Sequence, residues 1–462
     1  KMRKDEDCSV DKYVGMVDRI KNLLVDISEK SAYIMPELSA NSEEFLQELA
    51  KDGEFADYSY TLELIVKNKK HTLSTPEEIL LAKAGLFSGL FQEAFGMFDN
   101  LDVKFNKFVT SNGEKVQLSH GLYGALMQSQ IRGDRKKAFD SMFTAYKNMI
   151  NTIATLYIGN VKKNVFYSQA RKYENCLDRA TSGEDVSIDV YYRLLDCVNE
   201  NIPLLHRYLR YRRHALGYTM LHMYDLHVPI TGGDSLGVEY EEACKIVKEA
   251  LLPLGEEYAA LLDKAFGEGW IDVYENKGKR SGAYSWGCYG SHPYVLLNYQ
   301  KTTHDIFTIA HELGHAMHTY YSNANQPYPK AEYKIFVAEV ASTVNEALLV
   351  RNLLSKAQGE QKKYLLSYLL DMFRTTVFRQ TQFAEFEYQA HKMAEDGKPM
   401  SAEALCEVYR KLNRKYYVTT GVQNDDLIKY EWARIPHFYN AFYVYKYSTG
   451  LISALCIADN IL

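Results

Sequence analysis

His304–Tyr321 reads HDIFTIAHELGHAMHTYY, and the rest of the chain is best read outward from it. At about 100° per residue, Ile306, Ile309, Leu313, Met317 and Tyr320 recur at the spacing of a buried helical face. His304, Thr308, His311, His315 and His318 make a second stripe, at steps of three and four. The two stripes cannot face the same partner. His311 and His315 stand one turn apart, so one divalent ion can accept an imidazole nitrogen from each.

Glu312 lies just round the helix, poorly aligned to join them as a ligand but close enough to touch something held by the metal. This H-E-x-x-H spacing is the signature of zinc peptidases, and it predicts a catalytic zinc, one per chain.

Composition narrows the field. The chain has 462 residues, of which 47% are hydrophobic and 24% charged, which is ordinary for a globular protein with a large core or several lobes. A net charge of −5 offers no electrostatic reason to expect nucleic acid or an anionic membrane surface. No run approaches the length of a membrane span, and the opening KMRKDEDCSVDKY has no apolar leader core. The seven cysteines are scattered and never spaced C-x-x-C, which predicts buried free thiols in a reducing cytoplasm. The chain opens on Lys1 and stops at Leu462 inside an apolar helical pattern, so trimming at both ends is expected. Tyrosine is abundant at 37 residues, serving as core filler and as lining for a peptide groove.

Ten prolines and few alternating runs predict a mainly α protein. Helical patterns cover 10–30, 76–95, 134–170, 187–217, 238–265, 301–322, 330–395 and 401–417. Ser74-Thr75-Pro76-Glu77-Glu78 and Ser401-Ala-Glu-Ala-Leu read as helix starts. Val103–Val109 and Lys115–Leu118 around Ser111-Asn112-Gly113 read as a hairpin, and Tyr224–Ile230 as a short extended run. Tyr284–Tyr299, with Gly287 and Gly290, predicts a small sheet beside the HELGH helix to which a peptide could add as a strand. A turn at Gly133-Asp134 suggests an N-terminal helical domain over 1–130 and a catalytic domain over 131–462.

A catalytic zinc needs a third protein ligand and an open position. A histidine six residues beyond His315 would supply one pattern, but Tyr321 stands there. Downstream, KIFVAEVASTVNEALLV (334–350) carries Glu339 and Glu346 seven residues apart. Glu339 sits among Ala338, Val340 and Ala341, where an unpaired charge is costly. A ligand role accounts for it; a buried pair with an arginine is the alternative.

HELGHAMH followed by VAEVASTVNEALL resembles the M3 family of zinc oligopeptidases, nearest the oligoendopeptidase F branch. NVKKNVFYSQARKYENCLDRA (160–180), LLHRYLRYRR (204–213), LHMYDLHVP (221–229) and SGAYSWGCYGSHPYVLLNYQ (281–300) extend the resemblance over most of the chain. It implies a two-lobed helical metallopeptidase acting on oligopeptides, with His311, His315 and Glu339 as zinc ligands and Glu312 as general base. It also implies that RIPHFYNAFYVYKYSTG (434–450) supplies His437, Tyr443 and Tyr447 to the reaction. In that segment Pro436 suits a helix first turn, and Tyr439, Tyr443 and Tyr447 fall at i, i+4 on one face. Tyr447 has no counterpart at the same spacing in every branch. Glu346 and His318 read as supports behind the ligands. A dipeptidyl carboxypeptidase of the same fold and a silent peptide-binding protein are the alternatives, the latter disfavoured by an intact set of metal-site residues.

Overall fold

The computed structural model describes residues 2–7, 10–231, 236–276, 279–280 and 282–462. The backbone is mainly helical, with five short strands among the described residues. It forms two compact units that interleave along the sequence. One comprises Lys1–Leu86, Asp234–Ala357 and Gly450–Leu462, and the other Phe87–Gly233 and Gln358–Thr449.

In the first unit, the helix Thr303–Asn325 is capped at its start by Thr302. The Thr302 side chain accepts from the Asp305 N–H while Asp305 reaches back to the N–H of Thr302. Ile306, Ile309, Leu313 and Met317 are at most 1% exposed, so the predicted apolar stripe is the buried one. Tyr320 stacks on Trp270 instead, with ring centroids 5.9 Å apart. Against this helix lies a three-stranded sheet, ordered β3 (Ile271–Asp272), β5 (Tyr294–Leu296), β4 (Tyr284–Trp286). β3 pairs with β5 in parallel and β4 with β5 antiparallel, which leaves β4 at an edge. Gly287 follows β4 because a Cβ there would lie 2.6 Å from Cγ2 of Thr319 on the helix.

The next helix, Ile335–Lys356, crosses Thr303–Asn325 at Gly314. A Cβ at Gly314 would stand 2.5 Å from the Ser342 Cα and 2.8 Å from the Ala341 carbonyl oxygen, so only glycine permits this approach. Asn345 ties the pair together, its amide donating 2.9 Å to the carbonyl of Ala310 and 2.9 Å to the Tyr258 hydroxyl.

The second unit packs Arg132–Asn148, Ile150–Ala170, Arg379–Glu395 and Ala402–Tyr417 around an aromatic core. Tyr157 and Phe386 both lie against Trp432, at centroid separations of 5.8 and 5.9 Å. Tyr146, Tyr157, Tyr191, Tyr409, Tyr416 and Tyr445 are each at most 1% exposed, so much of the tyrosine excess is core. Two ion pairs lie in this core: Arg135 with Asp225 at 2.7 Å, and Arg379 with Glu431 at 2.5 Å. The hairpin forms as β1 (Lys107–Val109) and β2 (Lys115–Gln117).

Several sequence expectations are corrected. The 330–395 pattern is three helices, Ile335–Lys356, Gly359–Met372 and Arg379–Glu395, the last two joined by a wider turn over Phe373–Phe378. The 134–170 and 187–217 patterns break at Met149 and Asn201, where ψ opens to 11° and 4°. Tyr224–Ile230 is not a strand: Met223–Asp225 is a 3-10 turn, and an isolated bridge nearby joins Leu221 to Val422. Of the cysteines, Cys8 lies outside the described residues. Cys176, Cys244 and Cys406 are free and buried, whereas Cys197, Cys288 and Cys456 are free and exposed. No described helix is long and apolar enough to cross a membrane.

Candidate metal centre and active site

The Gly314 crossing has a chemical consequence. It brings Glu339, on the first turns of Ile335–Lys356, against the two histidines of HELGH. Glu339 Oε2 lies 3.5 Å from His311 Nε2 and 3.8 Å from His315 Nε2. One donor atom from each of the three residues falls within 4.8 Å of the others. Tetrahedral zinc, with bonds of about 2.0–2.1 Å, sets its ligand atoms about 3.3–3.5 Å apart. The donor set therefore fits such an ion with small side-chain adjustments.

Glu346 accepts from His311 Nδ1 at 2.5 Å, which fixes the tautomer and turns Nε2 toward Glu339. Burial alone would lower the His311 pKa, but that bond and the charges of Glu346, Glu312 and Glu339 raise it to about 9. Burial, then the neighbouring His311 and His318, lowers His315 to about 3, so it stays neutral and ready to ligate. Glu339 is raised by burial. This is a cluster of carboxylates and imidazoles short of positive charge, the condition a cation relieves.

Glu312 is 7% exposed, and its Oε2 has no hydrogen-bond partner among the described residues. Burial lifts its pKa to about 7, with His311 opposing and Glu339 and Glu346 adding to the rise. A carboxyl poised near neutrality can take a proton and return it. It borders a cavity of about 520 Å³, lined also by His304, Thr308, His311, Glu346 and Asn298.

Among the described residues, His318 makes no hydrogen bond to His311, His315 or Glu339. Its ring stacks on Tyr333 with centroids 3.7 Å apart, a partner that sequence reasoning did not supply. Tyr258 and Asn345 were missed as well. The only available signal for Asn345 was a polar residue beside Glu346 in an apolar run.

In the second unit, His437, Tyr443 and Tyr447 form their own cluster. The rings of His437 and Tyr443 stack at 5.9 Å, and the Tyr447 hydroxyl lies 3.3 Å from that of Tyr443 and 3.5 Å from His437 Nε2. The expected continuous helix is absent. Pro436–Tyr439 is a 3-10 turn, the chain reverses through Phe442 at φ +53°, and a helix resumes over Tyr445–Ile461. Tyr439 leaves the shared face and stacks on Phe95 at 4.7 Å in the core.

Two imidazoles and a carboxylate converging beside a buried glutamate with one unpartnered oxygen, on a helical scaffold, are what a metallopeptidase presents. Comparison with known proteins is more specific. The model for "Peptidase family M3" matches residues 125–462, and that for "Oligopeptidase F" matches 37–105. The chain is 42% identical to Oligopeptidase PepF of Bacillus subtilis, over all of this chain and 69% of that protein. It is 40% identical to Group B oligopeptidase PepB of Streptococcus agalactiae, over all of this chain and 76% of that one. The crystal structure of oligoendopeptidase-F from Enterococcus faecium superposes with a TM-score of 0.77 at 34% identity, covering 100% of this chain and 78% of that one. The chain belongs to peptidase family M3, in its oligoendopeptidase F branch, and is a metalloendopeptidase.

Proposed function

We propose that this protein is a zinc-dependent endopeptidase that cleaves oligopeptides, with His311, His315 and Glu339 as the zinc ligands, one ion per chain. The convergence of those three donors, with Glu312 beside them and not among them, carries the reading. When bound, the ion supplies Lewis acidity that makes water nucleophilic near neutral pH. Glu312 would take the proton of a water attacking the peptide carbonyl carbon and deliver it to the amine nitrogen as the C–N bond breaks. Tyr443 and Tyr447 donate hydrogen bonds to the developing oxyanion, and His437 orients them or the substrate. Glu346 holds His311. The edge of β4 accepts the substrate backbone as an added strand. We assign 131–462 as the catalytic part and 1–130 as an N-terminal helical region, in keeping with the two family matches.

Glu312→Gln separates the roles. It should keep about one zinc per chain and bind peptide, while kcat falls at least about a thousandfold. Loss of metal would make Glu312 a structural residue, and retained turnover would remove it from the mechanism. Activity that survives chelation with the metal verified absent would overturn the metal-dependent reading.

A further inference from the structure

Glu387 is a buried carboxyl that the mechanism above does not use. It lies in the helix Arg379–Glu395, is 0% exposed, and is flanked by the buried Phe386, Ala384 and Ala390. Its Oε1 accepts the backbone N–H of Phe442 at 2.6 Å, and its Oε2 has no partner among the described residues. Phe442 is one of the few non-glycine residues at positive φ, +53°, a conformation that costs an L-residue and persists only where its surroundings enforce it.

The enforcement is visible on both sides of the residue. The Phe442 ring is 1% exposed and lies between His391, at 4.7 Å, and Tyr191, at 5.8 Å. His391 is held in turn: its Nδ1 donates to the Glu387 carbonyl at 2.9 Å, and Asn164 donates to its Nε2 at 3.1 Å. The charged group facing Glu387 is Lys446, which is committed to Glu184 at 2.9 Å. Burial pushes the Glu387 carboxyl well above its usual range, so the side chain is a neutral acid. A glutamine can reproduce its shape and its acceptor oxygen.

The residue after Phe442 is Tyr443. In the left-handed conformation the chain turns sharply, so the backbone angles of Phe442 set the direction in which the Tyr443 phenol leaves the chain.

We propose that Glu387 is a positioning residue for Tyr443: it clamps the Phe442 amide, holds the left-handed turn, and thereby aims the phenol. This rests on the oxyanion reading of Tyr443 above. Glu387 touches neither substrate nor metal.

The experiment uses the full chain with zinc bound and a fluorogenic oligopeptide. Glu387→Gln, Glu387→Leu, Tyr443→Phe and the Glu387→Leu/Tyr443→Phe double variant are compared, and amide hydrogen exchange is followed across 438–447. Glu387→Gln should keep kcat within about threefold of wild type and preserve exchange protection. Glu387→Leu should lower kcat about tenfold or more, change KM little, leave zinc content intact, and speed exchange in the segment. The double variant should be no slower than Tyr443→Phe alone, because both changes remove one interaction. Unchanged exchange in Glu387→Leu, or losses that multiply in the double variant, would overturn the proposal. If Tyr443→Phe leaves kcat unaltered, the oxyanion role falls, while faster exchange in Glu387→Leu still upholds the clamp. Should Glu387→Leu fail to fold, Glu387→Met serves in the same comparison.

Discussion

Adding one methyl group at the helix crossing should damage the metal centre from a distance. In Gly314→Ala the new Cβ would stand 2.5 Å from the Ser342 Cα, 2.8 Å from the Ala341 oxygen and 2.9 Å from the Ser342 nitrogen. All three are backbone atoms of a packed helix, so no side chain can swing away. Ordinary carbon contacts begin near 3.5–4.0 Å, so the helices must part by about 1 Å or more. Glu339 moves with its helix. The separations of 3.5 and 3.8 Å between its oxygen and the two histidine nitrogens would then exceed about 4.5 Å. One ion with bonds near 2.0–2.1 Å cannot span that in tetrahedral geometry.

Overpacking of this kind costs about 1–3 kcal/mol of stability, and an ångström of misplacement near the chemistry costs about a hundredfold in rate. Zinc affinity, measured by competition with a chromophoric chelator, should fall at least about tenfold, and kcat/KM about a hundredfold at saturating metal. Gly124→Ala is the control, since a Cβ there meets nothing within 4 Å. Unaltered zinc affinity and kcat/KM in Gly314→Ala would show that the close crossing does not set the ligand geometry.

Glu346→Gln should weaken zinc binding about 10- to 100-fold while leaving the three ligands in place, and chelator competition would expose an error if affinity held. His391 gives a pH prediction. It is 1% exposed, and burial lowers its pKa to about 4 from 6.5, so the fold favours the neutral ring. A depressed folded pKa means that its contribution is fully present above about pH 6.5 and is lost as pH falls toward 4. The loss should reach about 3 kcal/mol, the equivalent of two to three pKa units. Urea unfolding at pH 7, 5.5 and 4.5 should show a shallower decline in His391→Gln than in wild type, and parallel declines would refute the assignment.

Where a structural cause is local, the sequence shows it. HELGH needs only helical spacing, and Ser401 is a cap because its hydroxyl accepts from the Ala404 N–H one turn on. The convergence of Glu339 on the two histidines was readable because a carboxylate among alanines and valines needs a partner. Other causes act between segments far apart in the chain. Nothing near Asn345 indicates that its amide will reach Ala310, 35 residues earlier, or that Tyr333 will cover His318. Residues 434–450 show the sharpest failure. Three tyrosines at i, i+4 predict one helical face, yet Phe442 adopts a conformation that its own side chain disfavours, because Glu387 and His391 enforce it. The breaks at Met149 and Asn201 were hidden for a different reason: the apolar periodicity continues across them, although Pro203 was a fair warning at the second.

The interleaving of the two units gives the chain a biosynthetic schedule. The first unit begins with residues 1–86 but lacks its next part until residue 234 has been made. At about 5–20 residues per second, that is a wait of roughly 7–30 s on the ribosome. During it the helix Asp11–Ser31, on which Met16, Ile20, Leu23, Leu24 and Ile27 are exposed, waits for the later parts of its unit. The three proposed metal ligands then emerge together, between residues 311 and 339. The last segment of the same unit begins at Gly450, where a Cβ would come within 3.0 Å of Glu339 Cβ. Gathering of the proposed donors can therefore precede the wall that confines Glu339, and a ribosome stalled just before the Gly450 codon would present the three donors without that backing.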